Sequence, residues 1–546
     1  MANKTKYDSL SREQLIDKIQ KLEKERYGLV WEDKEEDVAK RCDSELPLLK
    51  EDSSREIIAN PILPYNIIIE GDNYHSLYTL SFTHKKSIDV IYIDPPYNTG
   101  NNDFIYNDSY VDKTDQFRHS KWLSFMSKRL RLAKNLLSKR GLIFISIDDT
   151  EFAQLKLLCD SIFTEKNFIV DVIWNSRKSV SNDTIISLNH NHTLVYARDI
   201  DVIQRNKQQY RLIGSKEKFS NPDNDPRGDW TADPFDAPDV RPNLTYPIMN
   251  PNTGKEYLPP KGRHWRTTEE EYYRFLADGR IIFGKTGNAK PQLKRFYYEA
   301  AEKGVVAKSM WDDVGTTTNG TQELEKILGE KKFNNPKPVS LILKILEFAS
   351  FKDSTILDFF AGSGTTGHAV IEMNKKDGGS RKFILCTNNE NNICTDVTYP
   401  RIEKVIHGYA DIQGIPANLK YYTQTFVPVI SSDMDKRELV NRSTEILCVA
   451  EDCFKEVKGR DGFSDFVIFQ GTKKQMAIIY DEDSIYDCVE YLNLHKSNVK
   501  TIIYVFSYDY TYDTEDFRDL NVEFSVKPIP EAIINVYRKI SRMKKK

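Results

Sequence analysis

The stretch 87–100, SIDVIYIDPPYNTG, indicates the fold class of this chain. Residues 89–93, DVIYI, form a short apolar run rich in β-branched side chains, which is typical of a buried strand. Asp94, Pro95, Pro96 and Tyr97 follow directly, and the two prolines end the strand because proline has no N–H to donate. Parallel α/β sheets gather functional groups beyond the carboxyl ends of their strands, so this position suits a site.

Similar apolar runs recur on both sides of this stretch, with amphipathic segments between them. Trp122, Met126, Leu130, Ala133 and Leu137 recur at three- and four-residue steps, which predicts a helix. Further helices are predicted around 338–350 and from 365. Alternating strands and helices are typical of an α/β sheet. The predicted strands are NIII (66–69), DVIYI (89–93), GLIFISI (141–147), VDVIW (170–174), TLVYA (193–197), STILDFF (354–360) and KFILC (382–386).

The Asp94–Tyr97 group combines a carboxylate, rigid carbonyls and a flat ring. Together these suit a planar amine, such as the exocyclic amine of a base that has been flipped out of a duplex. A four-residue string also occurs by chance, and the alternative is a strand that simply ends in a proline turn.

A second strand-to-helix junction lies at 358–367, DFFAGSGTTG. Gly362, Gly364 and Gly367 satisfy GxGxxG, which by itself also fits a nicotinamide or flavin enzyme. The tight turn lets the backbone approach a ligand, and Asp358 stands beside it. Glu390 follows the next predicted strand, where an acidic side chain is expected to hold ribose hydroxyls.

Length and charge predict several domains with different roles. The chain has 546 residues, which suggests three or four domains, and a net charge of -3, which excludes a uniformly basic nucleic-acid coat. Residues 255–295 carry ten Lys/Arg against five Asp/Glu, whereas residues 481–520 carry three against ten. No apolar run approaches the roughly 18 residues that a membrane span needs, and the polar start lacks a signal peptide, so we expect a cytoplasmic protein.

Metal and cysteine chemistry are not indicated. Seven scattered cysteines form no CxxC pair, which favours reduced, buried thiols. His190 and His192 stand at alternate positions, but no carboxylate or cysteine cluster joins them in the sequence, so we expect no metal.

Together these motifs resemble the amino-methyltransferases of DNA in their permuted beta arrangement, where DPPY lies upstream of the glycine loop and a target-recognition region lies between them. GDN at 71–73 is similar to the element that contacts the cofactor adenine, and NPKP at 335–338 to the element that lines the methionine end. The strings IYIDPPYNTGNNDFIYND, SIDDTEFAQL and TNNENNIC look still more like the Mod subunits of Type III restriction–modification systems.

The resemblance implies a Rossmann-like α/β methyltransferase sheet that binds S-adenosyl-L-methionine (AdoMet) and methylates N6 of adenine in double-stranded DNA. Aspartate before Pro-Pro-Tyr favours adenine over cytosine N4, although the chemistry permits both. The implied catalytic residues are Asp94, Pro95, Pro96 and Tyr97. The implied cofactor residues are Asp72, Asn73, Lys337, Asp358, Phe360, Ala361, Gly362, Gly364 and Glu390. The candidate DNA contacts are Asn98, Arg177, Lys178, Lys261, Arg263, Arg266, Lys290 and Lys294.

The predicted domains are an N-terminal helical arm (1–45), the first half of the core (46–200), a target-recognition domain (201–325), the second half of the core (326–430) and a C-terminal α/β interaction domain (431–546). Within the arm, a capping box at Ser11 and Gln14 predicts a helix to Arg26. The expected partners are DNA, a second copy of the chain and a restriction helicase–nuclease subunit. The alternatives are a solitary methyltransferase and a recognition subunit without activity. A nicotinamide-dependent oxidoreductase explains the glycine loop but leaves DPPY unexplained.

Overall fold

The computed structural model describes residues 11–16, 29–460 and 464–544. The predicted capping box is present, because the Ser11 N–H donates to Gln14 Oε1 at 2.8 Å and the Gln14 N–H donates to Ser11 Oγ at 3.2 Å. The rest of the predicted helix, beyond residue 16, lies outside the described residues up to residue 28. The chain divides into two compact units, one of residues up to Arg205 together with those from Lys308 onward, and one of Asn206–Ala307.

The first part of the larger unit alternates strands with helices, as the apolar runs predict. Its elements are α1 (Asp37–Arg41), β1 (Glu45–Glu51), β2 (Tyr65–Glu70), α2 (Asn73–Thr83), β3 (Ile88–Ile93), β4 (Ile105–Tyr106), β5 (Ser109–Tyr110), α3 (Arg118–Leu136), β6 (Leu137–Ile147), α4 (Phe152–Phe163), β7 (Phe168–Asn175), β8 (His190–Ala197) and α5 (Ile200–Arg205).

The smaller unit has short strands and its own core. Its elements are β9 (Trp230–Pro234), β10 (Asp236–Pro238), β11 (Ile248–Met249), β12 (Glu256–Tyr257), β13 (Arg263–Trp265), α6 (Glu269–Ala277), β14 (Ile281–Ile282), β15 (Gln292–Phe296) and α7 (Tyr297–Lys303). The core consists of aromatic and aliphatic side chains, among them Phe235, Trp265, Tyr272, Ile281 and Phe283.

The larger unit resumes at residue 308. Its remaining elements are β16 (Met310–Trp311), α8 (Thr317–Leu328), α9 (Val339–Ala349), β17 (Thr355–Asp358), α10 (Thr365–Asp377), β18 (Lys382–Thr387), α11 (Tyr399–His407), β19 (Gly408–Tyr409), β20 (Ile412–Gln413), β21 (Asn418–Pro428), α12 (Asp433–Asn441), α13 (Thr444–Glu451), β22 (Cys453–Lys458), β23 (Phe466–Gly471), β24 (Lys474–Ile479), α14 (Ile485–Leu494), β25 (Lys500–Phe506), β26 (Phe524–Ile529) and α15 (Glu531–Lys544). Strand β16 and most of helix α8 fall within the predicted 201–325 region, but both lie in the larger unit.

A ten-stranded mixed sheet organises the larger unit, in the order β1-β21-β2-β18-β17-β3-β6-β8-β7-β16. The five adjacent strands β2, β18, β17, β3 and β6 run parallel, with Ile356 of β17 opposite Val90 of β3, and Val90 opposite Leu142 of β6. Ile91 and Ile93 pack in one core with Trp122 and Leu130 of α3. On the opposite face, Phe348 of α9 contacts Phe144 of β6 edge to face, at 6.2 Å between ring centroids. Helices therefore cover both faces of the sheet.

A second sheet of five strands, β22-β23-β24-β25-β26, forms the C-terminal part of the larger unit. Side chains such as Met476, Ile478 and Tyr504 on one face belong to the same core cluster as Ile91 and Trp122. The other face has a separate cluster with helix α14. All seven cysteines of the chain are buried and free. Among the described residues, no helix is both long enough and apolar enough to cross a membrane.

Candidate functional site

The functional candidates meet at one edge of the main sheet. Strands β2, β18, β17, β3 and β6 are parallel, so their carboxyl ends lie at the same edge. This edge carries Asp72 after β2, Glu390 after β18, Asp358 at the end of β17 and Asp94 after β3. The topology therefore brings together side chains that are separated by more than 300 positions in the chain.

The Asp94 carboxylate is held by two partners. The Tyr97 hydroxyl donates to Asp94 Oδ1 at 2.8 Å, and the Lys337 ammonium pairs with Oδ2. Burial, followed by the nearby Asp94 charge, raises the pKa of Tyr97 well above its usual value, so its hydroxyl remains a donor. The Asn191 side chain donates to the same hydroxyl at 3.3 Å. Asp94 and Tyr97 thus form one hydrogen-bonded unit with Lys337, which the sequence assigns to the cofactor.

A buried tryptophan fixes the double proline. Trp122 of α3 is fully buried and donates its indole N–H to the Pro96 carbonyl at 2.7 Å. The Pro96 carbonyl is thereby hydrogen-bonded within the fold. Pro95 and Pro96 both line the cleft that also contains Asp94 and Tyr97. The sequence gives no sign of the Trp122 role, because it resembles any other apolar residue of the helical stripe.

The glycine loop adopts conformations that glycine permits easily. Gly362 and Gly364 have φ values of +45° and +75°, in the left-handed region. The loop is tied down by Thr398, whose hydroxyl donates to the Gly362 carbonyl at 2.6 Å. A Cβ at Gly364 would lie 3.3 Å from Thr398 Cγ2, so the position favours glycine for space as well as for backbone conformation.

Asp358 is a buried carboxylate beside this loop. It accepts hydrogen bonds from the Thr366 hydroxyl at 2.5 Å and from the Phe360 N–H at 3.0 Å. Burial outweighs these hydrogen bonds and raises the pKa of Asp358 to about 7. The group therefore changes its charge near neutral pH.

A cavity of about 280 Å³ lies between the ends of β2, β17 and β18. Its walls combine aromatic rings with carboxylates and amides, namely Asp72, Asn73, Phe104, Phe125, Phe360 and Glu390. The Asp72 carboxylate caps α2 by accepting from the Tyr74 N–H at 2.7 Å. This wall suits a flat heteroaromatic ring that carries hydroxyl groups.

Arg129, which belongs to none of the sequence motifs, contacts two residues that line this cavity. It is fully buried on α3, and its guanidinium lies 3.6 Å from the centre of the Phe125 ring. Its Nε donates to Asn73 Oδ1 at 2.5 Å, and Nη1 pairs with Glu36 at 2.7 Å. A charged residue inside an apolar helix stripe is the one signal that marks it in the sequence.

A larger cleft, about 1110 Å³ in volume, adjoins this cavity. Asp94, Tyr97, Trp174, Arg177, His190 and Lys337 are among the residues that line it. Pro96 borders both the cleft and the smaller cavity. The DPPY group and five of the nine cofactor candidates therefore line two adjoining spaces. These five are Asp72, Asn73, Lys337, Phe360 and Glu390, whereas Asp358, Ala361, Gly362 and Gly364 line neither space.

The candidate DNA contacts of the larger unit differ in exposure. Arg177 and Lys178 are exposed and line a groove of about 840 Å³ with the start of α8. The Asn98 side chain is fully buried and donates to Glu151 at 2.5 Å, so the structure uses it inside the fold and does not offer it to DNA.

Four of the five basic candidates in the smaller unit form ion pairs with carboxylates. Arg263 and Lys290 both pair with Asp236. Arg266 lies 3.4 Å from Asp233. Lys294 is 4% exposed and pairs with Asp223 and Asp225, the latter at 2.9 Å. The Lys294 charge is therefore neutralised inside the smaller unit. Lys261, by contrast, is exposed.

One expectation about His190 and His192 needs correction. The sequence shows no carboxylate beside them, but strand pairing supplies one. Ile147 of β6 lies opposite His192 of β8, and Asp149 follows two residues later. The ligand atoms of Asp149, His190 and His192 all lie within 4.8 Å of one another. Sequence spacing could not reveal this group, because its members come from different strands.

A family model described as a DNA methylase matches residues 88–399, more than half of the chain. The matched range begins in β3 and includes both the DPPY group and the glycine loop. The chain belongs to this DNA methylase family. Membership in this family explains why the DPPY group and the glycine loop lie at the same edge of the sheet. It leaves the alternative of a nicotinamide-dependent enzyme without support.

Curated members of the family are similar over most of the chain. The Mod subunit of the Type III restriction-modification enzyme StyLTI of Salmonella typhimurium is 37% identical over 370 residues, which cover 62% of this chain and 56% of that protein. The Type II methyltransferase M.KpnI of Klebsiella pneumoniae is 35% identical over 395 residues, covering 65% and 87%. The EcoPI Mod subunit of Escherichia phage P1 is 31% identical over 436 residues, covering 68% and 64%. The chain thus spans little more than half the length of the StyLTI subunit and just under two thirds of the EcoPI subunit.

Proposed function

We propose that this chain transfers a methyl group from AdoMet to N6 of adenine in double-stranded DNA, as the Mod subunit of a Type III restriction–modification system. The main support for the proposal is that Pro96 lines two spaces at once. One is the cleft of Asp94 and Tyr97, and the other is the cavity of Phe360 and Glu390. A transferase needs its acceptor and its donor in contact, and two adjoining spaces with these linings fit that need.

Asp94 and Tyr97 are suited to hold the target base. The Asp94 carboxylate has roughly four acceptor positions and uses two of them, on Tyr97 and Lys337, so it can accept an amine hydrogen as well. Acceptance of N–H hydrogens by Asp94 and by the Pro95 carbonyl draws the amine nitrogen toward a tetrahedral geometry with a localised lone pair. The Tyr97 ring stacks on the extruded base, worth roughly 1–3 kcal/mol by analogy with single-stranded nucleic acids.

The glycine-loop side fits AdoMet by the chemistry of its walls. The rings of Phe125 and Phe360 suit the adenine of the cofactor, and Glu390 suits its ribose hydroxyls. Asp358, buried beside the loop, supplies negative charge toward the cationic methionine portion. When bound, AdoMet supplies an electrophilic methyl group, so the protein groups act by orientation and electrostatics.

Lys337 links the two halves of the proposed site. Its ammonium compensates the Asp94 charge and lies 5.3 Å from the centre of the Tyr97 ring, while its backbone carbonyl accepts from the Thr365 hydroxyl at 3.2 Å. Thr365 begins α10, directly after the glycine loop. We therefore assign Lys337 a positioning role for Asp94 in addition to its proposed place at the methionine end of the cofactor.

Adenine is preferred over cytosine because Asp94 precedes Pro-Pro-Tyr, as in the adenine-specific enzymes that the sequence resembles. The proposed Type III assignment rests on the similarity to the StyLTI and EcoPI Mod subunits. It implies DNA, a second Mod copy and a restriction helicase–nuclease subunit as partners, with the exposed Arg177, Lys178 and Lys261 as DNA contacts. The C-terminal part, 431–546, is the proposed protein-binding region.

A solitary methyltransferase is the second candidate, because M.KpnI, named as a methyltransferase and not as a Mod subunit, is matched over 87% of its length. Affinity purification of the tagged chain from its native host separates the two. A helicase–nuclease subunit purifies with the chain in stoichiometric amount if it is a Mod subunit, and its absence favours the solitary enzyme.

The methyl transfer itself is tested with purified protein, duplex DNA of mixed sequence and AdoMet that carries an isotopically labelled methyl group. After digestion to nucleosides, mass spectrometry should find the label in N6-methyl-2′-deoxyadenosine. Label in N4-methyl-2′-deoxycytidine would overturn the choice of base, and unlabelled DNA with folded, AdoMet-binding protein would overturn the activity.

A further inference from the structure

A cluster of two histidines and one aspartate lies beside the proposed base-binding group. His190 and His192 are alternate residues of β8 and so project from the same face of the strand. Asp149 follows β6, the antiparallel neighbour of β8. The side-chain ligand atoms of the three residues lie within 4.8 Å of one another. The sheet therefore gathers two imidazole nitrogen atoms and one carboxylate oxygen atom at a single point.

The His192 ring is oriented in the way that metal-binding histidines are. Its Nδ1 lies 2.8 Å from Asp171 Oδ2, and its ring stacks on Phe152 at 3.9 Å between centroids. A carboxylate that accepts from Nδ1 leaves Nε2 with a lone pair, and such carboxylate–histidine pairs commonly support bound metals. Nε2 points at Asp149 Oδ1, 3.3 Å away.

This contact between Nε2 and Oδ1 brings two acceptor atoms together unless a proton or a metal ion lies between them. When Nδ1 donates its proton to Asp171, a neutral ring presents a lone pair to a carboxylate oxygen, which is repulsive. Either a second proton on the ring or a metal ion removes the repulsion. A tetrahedral Zn²⁺ with bonds of about 2.0–2.1 Å to nitrogen and oxygen separates its ligand atoms by about 3.3 Å, which equals the observed distance.

We propose that Asp149, His190 and His192 bind one divalent transition-metal ion of the Zn²⁺ class, with Asp171 orienting His192 from outside the coordination sphere. Two imidazoles and one carboxylate suit Zn²⁺, Co²⁺ and Ni²⁺ better than Mg²⁺, which prefers oxygen ligands. Three protein ligands leave one position open. Asp149 and His190 line the same cleft as Asp94 and Tyr97, so the proposed ion would lie at the wall of that cleft, where the proposed function places the base.

The proposal does not depend on methyltransferase activity and is tested by metal binding alone. The full chain, freed of metal with a chelator, is titrated with ZnCl₂ by calorimetry, and with CoCl₂ while the visible absorption of tetrahedral Co²⁺ is recorded. We expect one ion per chain. His190→Ala and Asp149→Asn should abolish this binding, and Asp171→Asn should weaken it about 10- to 100-fold.

His407→Ala is the matched control, because His407 is an exposed histidine at the end of α11. It should bind metal as the wild type does. Asp149 is about half exposed, so Asp149→Asn keeps the fold, and unchanged melting of the metal-free variants verifies this. Absence of saturable binding, or binding that survives His190→Ala and Asp149→Asn, would overturn the proposed metal site.

Discussion

Asp358 combines a potential negative charge with nearly complete burial, so its protonation should control cofactor binding. Burial raises the pKa of Asp358 to about 7. Lowering the pH from 8 to 6 therefore protonates the group and removes a charge that attracts the sulfonium of AdoMet. S-adenosylhomocysteine shares the remaining structure of AdoMet but has no sulfonium charge. We expect the Kd of AdoMet to rise up to about 10-fold over this interval, and the Kd of S-adenosylhomocysteine to change much less.

Calorimetric titration of both ligands at several pH values measures this difference. The ratio of the two Kd values removes the contribution of groups whose titration affects both ligands equally. Asp358→Asn should make the two pH profiles parallel. An equal dependence for both ligands in the wild type would contradict the proposed position of the sulfonium near Asp358.

Lys294 and Lys261 have the same chemistry but opposite environments, and their substitutions should differ accordingly. Lys294 is buried between Asp223 and Asp225, so Lys294→Met leaves two carboxylates without their partner and should lower the unfolding temperature by several degrees. Lys261→Met should leave the unfolding temperature unchanged and weaken DNA binding, with a smaller salt dependence. Thermal unfolding and DNA titration at two salt concentrations separate the roles. Equal effects of both substitutions on DNA affinity, with no change in melting, would contradict the assignment.

For single residues, the sequence indicates a role when that role depends on neighbours in the chain. DPPY and the glycine loop are of this kind, since the strand ends, prolines and glycines that define them are local. Arg129, Trp122 and Lys294 depend on partners from distant segments. The sequence marks Arg129 as an unusual charge in an apolar helix stripe, but it does not reveal the partners of any of the three residues.

Helix α8 supports the segment that carries Lys337, and Gly320 is its contact point. A Cβ at Gly320 would lie 2.2 Å from the Pro336 carbonyl oxygen and 2.9 Å from the backbone of Lys337. Gly320→Ala should therefore push the segment away and separate Lys337 from Asp94. We expect a loss of about 1–3 kcal/mol in the free energy of unfolding, together with reduced methyl transfer.

Lys326→Ala is the control for this prediction, because Lys326 lies exposed on the same helix and does not line the groove of Arg177 and Lys178. Denaturant unfolding and methyl-transfer assays of the two variants measure the effects. Wild-type activity in Gly320→Ala would contradict the role of α8 as a support for Lys337.

The elements themselves are largely predictable, because the apolar runs of β2, β3, β6, β17 and β18 are long enough to indicate strands. Their order in the sheet is not, since it depends on side chains that meet across the sheet. The position of β16 and α8 illustrates this. Their sequence resembles the irregular stretch before them, yet β16 pairs with β7 through Met310 and Trp311, and α8 lines the groove beside Arg177.

In the larger unit as a whole, the C-terminal part shares its core with the ten-stranded sheet. Tyr537 of α15 is 2% exposed, and its hydroxyl donates to the Pro47 carbonyl at 2.8 Å. Its ring lies 4.9 Å from that of Tyr78 on α2, the helix that begins with the cofactor candidate Asn73. Stability of the two parts should therefore be coupled.

Two substitutions at this position measure the coupling. Tyr537→Ala should destabilise the unit by about 3–5 kcal/mol and weaken AdoMet binding. Tyr537→Phe, which keeps the ring and removes the hydroxyl, should cost about 1 kcal/mol. Denaturant unfolding followed by AdoMet titration reports both effects. An early separate transition of the C-terminal part, with unchanged AdoMet affinity, would mean that it folds independently.

Asp94 at the shared edge is proposed to direct the methylation of adenine in DNA. Single-molecule sequencing that detects modified bases, applied to DNA from a methylation-free host, tests this proposal directly when the wild type is compared with Asp94→Ala. We predict N6-methyladenine at one recurring sequence with the wild type and unmodified DNA with the variant, which should still fold and bind AdoMet. The same modification with Asp94→Ala, or N4-methylcytosine with the wild type, would contradict the account.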